Sequence, residues 1–444
     1  MPTWPEFVAR QVQHGAVVVP DSQPVRVARY TDTIAEYRAL DEGPALMDRT
    51  DRALLEVTGK DRVAWLHNLT TNDVKKLSVG EGSYAFVLNV QGRILFDVNI
   101  FVRPDSIWLD LDRHFLDTAR KHFTKYIITE DVRLTDRSDE FVRLALTGRG
   151  AVDLLSALGA PNAPAMAQLS QSTIEWNPPA SPLTKGGLRG VDPSRDREGA
   201  DNPSRERERP EASPLDKGGP RGVFMLRHDF CGPFAVELFV PADLAVEVWT
   251  ALVDQHRAIP VGDEAVQIRR IEAGIPWPGR EITSEYLPAE TRQLDRAVSY
   301  QKGCYLGQEV VERMRSRQVV ARQLVGLRFD SPSSRRADRG RVVPDPGRPR
   351  EGPGRGGGGE GVESELRSSL VQYRDREGAG SGTSVLDSDG KPVGTVTSTC
   401  HSLALDARIA LAYVKTALAN PDARLTVGGL PATLVELPFK SAGT

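Results

Sequence analysis

The sequence predicts an α+β protein with a small C-terminal β domain, interrupted by two low-complexity insertions. Three observations carry that prediction. Residues 94–102 and 107–111 alternate like paired strands, whereas 115–126 repeats apolar residues at helical spacing. The stretch after residue 383 is short, rich in Val, Thr and Gly, and strand-like throughout. Residues 177–222 and 331–382 differ from everything around them: Gly, Pro and charge dominate, and both contain Asp-Arg-Glu-Gly-Ala, at Asp196 and Asp375. Shared text in two unrelated places reads as inserted sequence that offers no apolar core.

In chain order, the first block covers residues 1–176. A strand-like Ala53–Val57 ends at Gly59-Lys60-Asp61, and Asp61 is an expected N-cap of the helix that follows. From Arg93 to Val102, Ile94, Phe96, Val98 and Ile100 fall on one face, with Leu95, Asp97, Asn99 and Phe101 on the other. A turn at Arg103-Pro104-Asp105-Ser106 leads to the hairpin partner, Ile107–Leu111. Phe115, Ala119, Phe123 and Tyr126 then mark a helix face. The second block, 223–330, holds a strand at Phe234–Val240 and an amphipathic helix after Asp243. The third, 383–444, is the β domain.

At 444 residues, 57 basic and 60 acidic groups give a formal charge of −3. That balance does not suit coating nucleic acid or an anionic membrane, and no apolar run is long enough to span a bilayer. The first residues lack a secretory pattern. Cys231, Cys304 and Cys400 are odd in number and widely spaced, so no disulfide framework or local zinc site is expected and a reducing, cytoplasmic setting fits. The Cys400-His401 pair alone is weak evidence for a metal, and no metal ligands are assigned.

Asp97 sits mid-strand between apolar faces, where a carboxylate is costly unless bonded. It is either a satisfied structural group or a carboxylate held near a cleft. Glu237 poses the same choice on the strand Phe234–Val240: it points to water, or inward to accept two N–H groups of a planar heterocycle. The densest constellation is Gln301-Lys302-Gly303-Cys304-Tyr305-Leu306-Gly307-Gln308-Glu309. Its glycines permit unusual backbone angles, Lys302 is placed to favour a thiolate at Cys304, and Glu309 and Arg313 stand one helical turn apart. Spacing alone does not make Cys304 catalytic, because a lone Cys is usually a small buried hydrophobe.

Lys302 to Glu309 resembles the K-G-C-Y-x-G-Q-E signature of the YgfZ-type folate-binding proteins. Gly59-Lys60-Asp61, Leu66 to Val74, Gly82-Ser83-Tyr84, Arg270 to Pro276, Gly394 to Ser398 and Ile409 to Val414 resemble, in order, segments of the wider glycine-cleavage T-protein (aminomethyltransferase) superfamily. Leu88 to Val98 resembles the branch that includes iron–sulfur assembly members. The resemblance implies a three-lobed cloverleaf around a tetrahydrofolate or a one-carbon derivative of it. It implies catalytic roles for Asp97 and Cys304, and folate contacts from Glu237, Arg270, Tyr84, Asn89, Lys302, Gln308 and Glu309. Asp97 matches the second acid of the transferases' G-G-x-x-D-D, while Phe96 replaces the first. Phe230 replaces a Tyr, and Cys231 to Phe234 departs from T-G-E-D-G. Those departures favour a folate-binding accessory factor, not a standard aminomethyltransferase, with iron–sulfur client enzymes or assembly proteins as partners. The alternative is a tetrahydrofolate-dependent aminomethyltransferase or other one-carbon transferase. The first block is then the first folate-binding lobe, 223–330 a second lobe bearing the signature, and 383–444 a β-barrel.

Overall fold

A computed structural model describes residues 4–20, 22, 24–176, 222–231, 234–317, 320–330, 380–420 and 423–439. The two compositionally distinct segments lie outside them, apart from residue 222 and residues 380–382.

The first sheet has five strands in the order Gly82–Leu88, Ile94–Val102, Ile107–Asp112, Arg52–Thr58, Arg133–Asp136, all antiparallel. The alternation in Ile94–Val102 sends Phe96, Val98 and Ile100 into a core with Ala119 and Phe123 of the helix Leu116–Lys125. Ile94 departs from the expected face. A bulge pairs Val87 with Phe96 but Leu88 with Ile94, which turns Ile94 into the opposite core beside Leu88 and Tyr305. Asp61 stands at the start of the helix Arg62–Leu69 without capping it. Its Oδ2 accepts from the Asp131 amide at 2.8 Å, so it ties two loops together.

The second sheet draws on residues from both sides of 177–221. Its order is Gln171–Glu175, Gly222–Arg227, Ala235–Pro241, Phe141–Thr147, Ala45–Asp48, Ile259–Val261, with only the last pair parallel. The blocks delimited on composition are therefore interleaved in space: Ala45–Asp48 and Phe141–Thr147 share a sheet with residues beyond 222. Strand pairing buries apolar faces wherever they are complementary and is indifferent to the length of chain between them. The two sheets meet through an aromatic layer, in which Trp108 lies 5.5 Å from Phe141 and 5.2 Å from Phe224 between ring centroids.

A closed six-stranded barrel follows, in the order Arg322–Phe329, Ala407–Lys415, Pro392–Ser402, Ser384–Leu386, Arg424–Val427, Leu430–Val435. Its first strand precedes residues 331–379, in the stretch that composition assigns to the preceding block. Closure removes the unpaired edges that a short sheet would otherwise expose. The helix Asp263–Glu272 and the loop after it dock on this barrel: Arg270 donates to Ser398, Ser402 to Glu272, and the Tyr286 and Tyr413 rings stack at 3.6 Å. Among the described residues, no helix is long and apolar enough to cross a membrane.

Candidate functional site

A cleft of about 250 Å³ opens where the two sheets and the loop Ala273–Pro278 converge. The first sheet supplies Arg52, Tyr84, Asp97 and Asn99; the turn after Ala45–Asp48 supplies Arg49; the end of Gly222–Arg227 supplies His228, Asp229 and Phe230. Trp277, Gln293 and Arg296 complete the wall.

Asp97 is 6 % exposed. One oxygen accepts from the Tyr84 hydroxyl at 2.9 Å, whereas Oδ1 has no hydrogen-bond partner. Burial pushes its pKa above the usual carboxylate range, and Arg52 and Arg296 only partly oppose this. The strand that carries it also explains Phe96. Adjacent strand residues point to opposite faces, so Phe96 packs edge-on against Phe123, 5.7 Å between centroids, in the far core. The Phe at that position therefore takes nothing from the cleft.

Beneath Asp97 lies a buried charge ladder. Arg52 engages Asp110 through Nη2 at 2.7 Å and Nε at 3.1 Å, and Arg143 reaches the same carboxylate at 2.8 Å. Arg143 also donates to Glu237, which His228 Nδ1 meets at 2.6 Å and Arg49 Nη1 approaches at 3.6 Å. Burial alone would raise both acids. Arg52 and Arg143 outweigh it at Asp110, and Arg143, Arg49 and His228 outweigh it at Glu237, so both sit below the ordinary range. Arg49 lies over the Phe230 ring at 3.9 Å, with Nη1 unsatisfied.

Several sequence expectations are corrected here. Glu237 is fully buried, its oxygens are committed to protein groups, and it does not line the cleft. It supports Arg49 and His228 and is not itself open to a heterocycle. Arg270 is also fully buried, bonded to Glu281 at 3.0 Å and Ser398 at 2.7 Å, as a joint between helix, loop and barrel. Asn89 closes its own turn by accepting from Gln91 and Arg93. Lys302 donates to the carbonyls of His67, Thr70 and Asn72, so its ammonium is spent on anchoring the loop; burial pulls its pKa down to about 8. Gln308 accepts from the Tyr305 amide, and the exposed Glu309 pairs with Arg313. Cys304 is exposed but is not among the cleft-lining residues. Of the predicted site residues, Tyr84 and Asp97 are the two that meet in the cleft.

Arg49, Arg52, Asn99, His228, Trp277 and Arg296 were not anticipated. The signal that singled out Asp97, a charge inside an apolar strand, was present at Arg52, Asp110 and Arg143 too.

Residues 7–176 match the GCVT N-terminal domain, and residues 369–440 match the glycine cleavage T-protein C-terminal barrel domain. The chain belongs to the GcvT/aminomethyltransferase superfamily. An aminomethyltransferase of Symbiobacterium thermophilum is 25 % identical over 96 % of this chain and 94 % of its own length. One from Thermus thermophilus is 26 % identical over 93 % and 91 %, respectively. The crystal structure of glycine cleavage system aminomethyltransferase T from Bartonella henselae shares the fold, with a TM-score of 0.70 at 18 % identity, covering 97 % of this chain and 96 % of that one. The expectation of an iron–sulfur accessory role is overturned by these relatives, which are aminomethyltransferases along nearly their whole length. The burial of Phe96 in the far core removes one of the departures on which that expectation rested.

Proposed function

We propose that this protein is a tetrahydrofolate-dependent aminomethyltransferase, or a transferase of another one-carbon unit to tetrahydrofolate. The observation that carries this reading is Asp97: a buried carboxylate in a cleft, oriented by Tyr84 on one oxygen and unpartnered on the other. The names of the relatives support it. A reduced pterin fits the chemistry of the lining. Its ring N–H groups suit the unpartnered Oδ1, and its flat faces suit Trp277 and Phe230. An acidic tail on such a ligand suits the exposed Arg296 at the cleft wall.

In this reading Asp97 accepts a hydrogen bond from, and stabilises developing positive charge on, the nitrogen that receives the one-carbon unit. Tyr84 fixes the carboxylate, and the charge of Arg52 opposes its protonation. The finer placement in the YgfZ-type branch rests on Lys302 to Glu309, with that loop assigned to anchoring the fold beside the helix Arg62–Leu69. The first block as a folate-binding lobe is likewise part of this proposal. Titrating the protein with tetrahydrofolate in a calorimeter, then supplying an aminomethyl donor and following product, tests the reading. Binding with turnover is expected. Absence of binding would sink it.

A further inference from the structure

We propose that His228 is the proton-transfer group of the cleft, with Glu237 setting its tautomer; this rests on the one-carbon transfer reading above. His228 Nδ1 is 2.6 Å from Glu237 Oε1. Glu237 is fully buried and is held ionised by Arg143 and Arg49, so it can only accept, and Nδ1 must carry the hydrogen. That leaves Nε2 with its lone pair in the neutral ring. The His228 side chain is 13 % exposed and lines the cleft, and no described residue bonds Nε2. A carboxylate orienting an imidazole whose second nitrogen faces a ligand cleft is the arrangement by which a histidine shuttles protons.

Glu237 from its own sheet meets the imidazole at Nδ1 and the Phe230 ring lies 5.6 Å from it, while Arg49 from the turn after Ala45–Asp48 approaches Glu237. Arg143 lies behind Glu237, while Asp97, Arg52, Asp229 and Arg296 share the cleft. Asp229 is engaged bidentately by Arg227 and is thereby less suited to take a proton.

The step balances without any further reagent. A folate nitrogen uses its lone pair to form the new C–N bond, and its N–H bond breaks with the proton passing to Nε2. The bond between the one-carbon unit and its leaving group breaks, the electron pair goes with the leaving group, and Nε2 returns the proton to it. The imidazole ends neutral as it began. Asp97 contributes charge stabilisation and His228 moves the proton, while Glu237, buried behind the cleft, holds the imidazole.

His228→Gln tests this, because the amide can still donate to Glu237 while carrying no titratable proton. Ring nitrogen NMR of the wild-type protein should show the Nδ1–H tautomer, and tetrahydrofolate should shift the Nε2 resonance. The variant should bind tetrahydrofolate within about threefold of wild type, yet transfer on the order of 10²-fold more slowly. The pH profile of its transfer should lose any limb that the wild-type imidazole supplies. An Nε2–H tautomer, or full transfer by the variant with wild-type pH dependence, would overturn the assignment. A wild-type protein that binds no tetrahydrofolate would instead overturn the functional reading, so the two failures are distinguishable.

Discussion

Asp97 and Glu237 lie in neighbouring sheets, both buried, and their surroundings drive them in opposite directions. Asp97 is hydrogen-bonded by one hydroxyl and feels the guanidiniums of Arg52 and Arg296 only through space, so burial wins and its pKa rises. Glu237 has two guanidiniums and an imidazole, so the charges win and its pKa falls. The consequences for pH carry opposite signs. Glu237 contributes stability that is present above the unfolded carboxylate pKa and is lost as pH falls through its depressed folded value. Asp97 binds its proton more tightly when folded, so its contribution diminishes as pH rises from the unfolded towards the folded pKa. Asp97→Asn should therefore leave stability at neutral pH equal or slightly raised in a urea melt, while transfer falls by at least about 10²-fold. The acid limb of kcat/KM should lie above the ordinary Asp range and disappear in the variant. Glu237→Ala strands Arg143 and Arg49 in the interior, so it should destabilise the fold by about 3–5 kcal/mol, read in the same melt. A loss of folate affinity with the stability intact would contradict the structural duty assigned to Glu237.

The signature loop is legible as a motif, but its duties are not legible from spacing. Gly307 has φ +82°, and a Cβ there would meet the Asn89 carbonyl oxygen at 2.6 Å; a Cβ at Gly303 meets nothing within 4 Å. Gly307→Ala should accordingly lower the melting temperature by an amount equivalent to more than about 1 kcal/mol, with Gly303→Ala near neutral. Equal effects at the two positions would mean that the loop does not pack against the Asn89 turn. Lys302 reads in the sequence as a cation beside a thiol, yet its ammonium serves three carbonyls from residues 67–72, some 230 positions away in the chain. No local pattern could reveal those acceptors, since backbone oxygens are present at every residue. Cys304 is exposed, whereas burial pushes the Cys231 thiol up to about 12 and the Cys400 thiol higher still. Alkylation should be fastest at Cys304, and mass spectrometry of the modified thiols would show it. By contrast, Ile94–Val102 and its partner Ile107–Asp112 were readable because a period of two needs only neighbouring residues. The same period shows why Phe96 and Asp97, adjacent in sequence, cannot both serve the cleft.

Across the whole molecule, the small C-terminal β domain expected from the sequence is present as a closed barrel, but composition could not assign its first strand, Arg322–Phe329, which precedes residues 331–379. Strand pairing over such distances depends on complementary faces, which a single sequence does not display. The charges of the buried ladder stand out within their strands, but their pairing does not, for the same reason: the hydrogen-bonded partners between strands are 33 to 94 positions apart. The barrel is held against the cleft loop by Arg270, whose bonds to Glu281 and Ser398 join three parts of the chain. Arg270→Met should cost about 3–5 kcal/mol by leaving Glu281 buried without its partner. The measurement that bears most directly on the proposed function pairs wild type with Asp97→Asn in one experiment: calorimetric titration with tetrahydrofolate, followed by an aminomethyl-donor turnover assay on the same samples. The account predicts that both proteins are folded, that wild type binds and turns over, and that the variant fails in transfer. Folate binding by wild type without turnover, or undiminished turnover by Asp97→Asn, would contradict it.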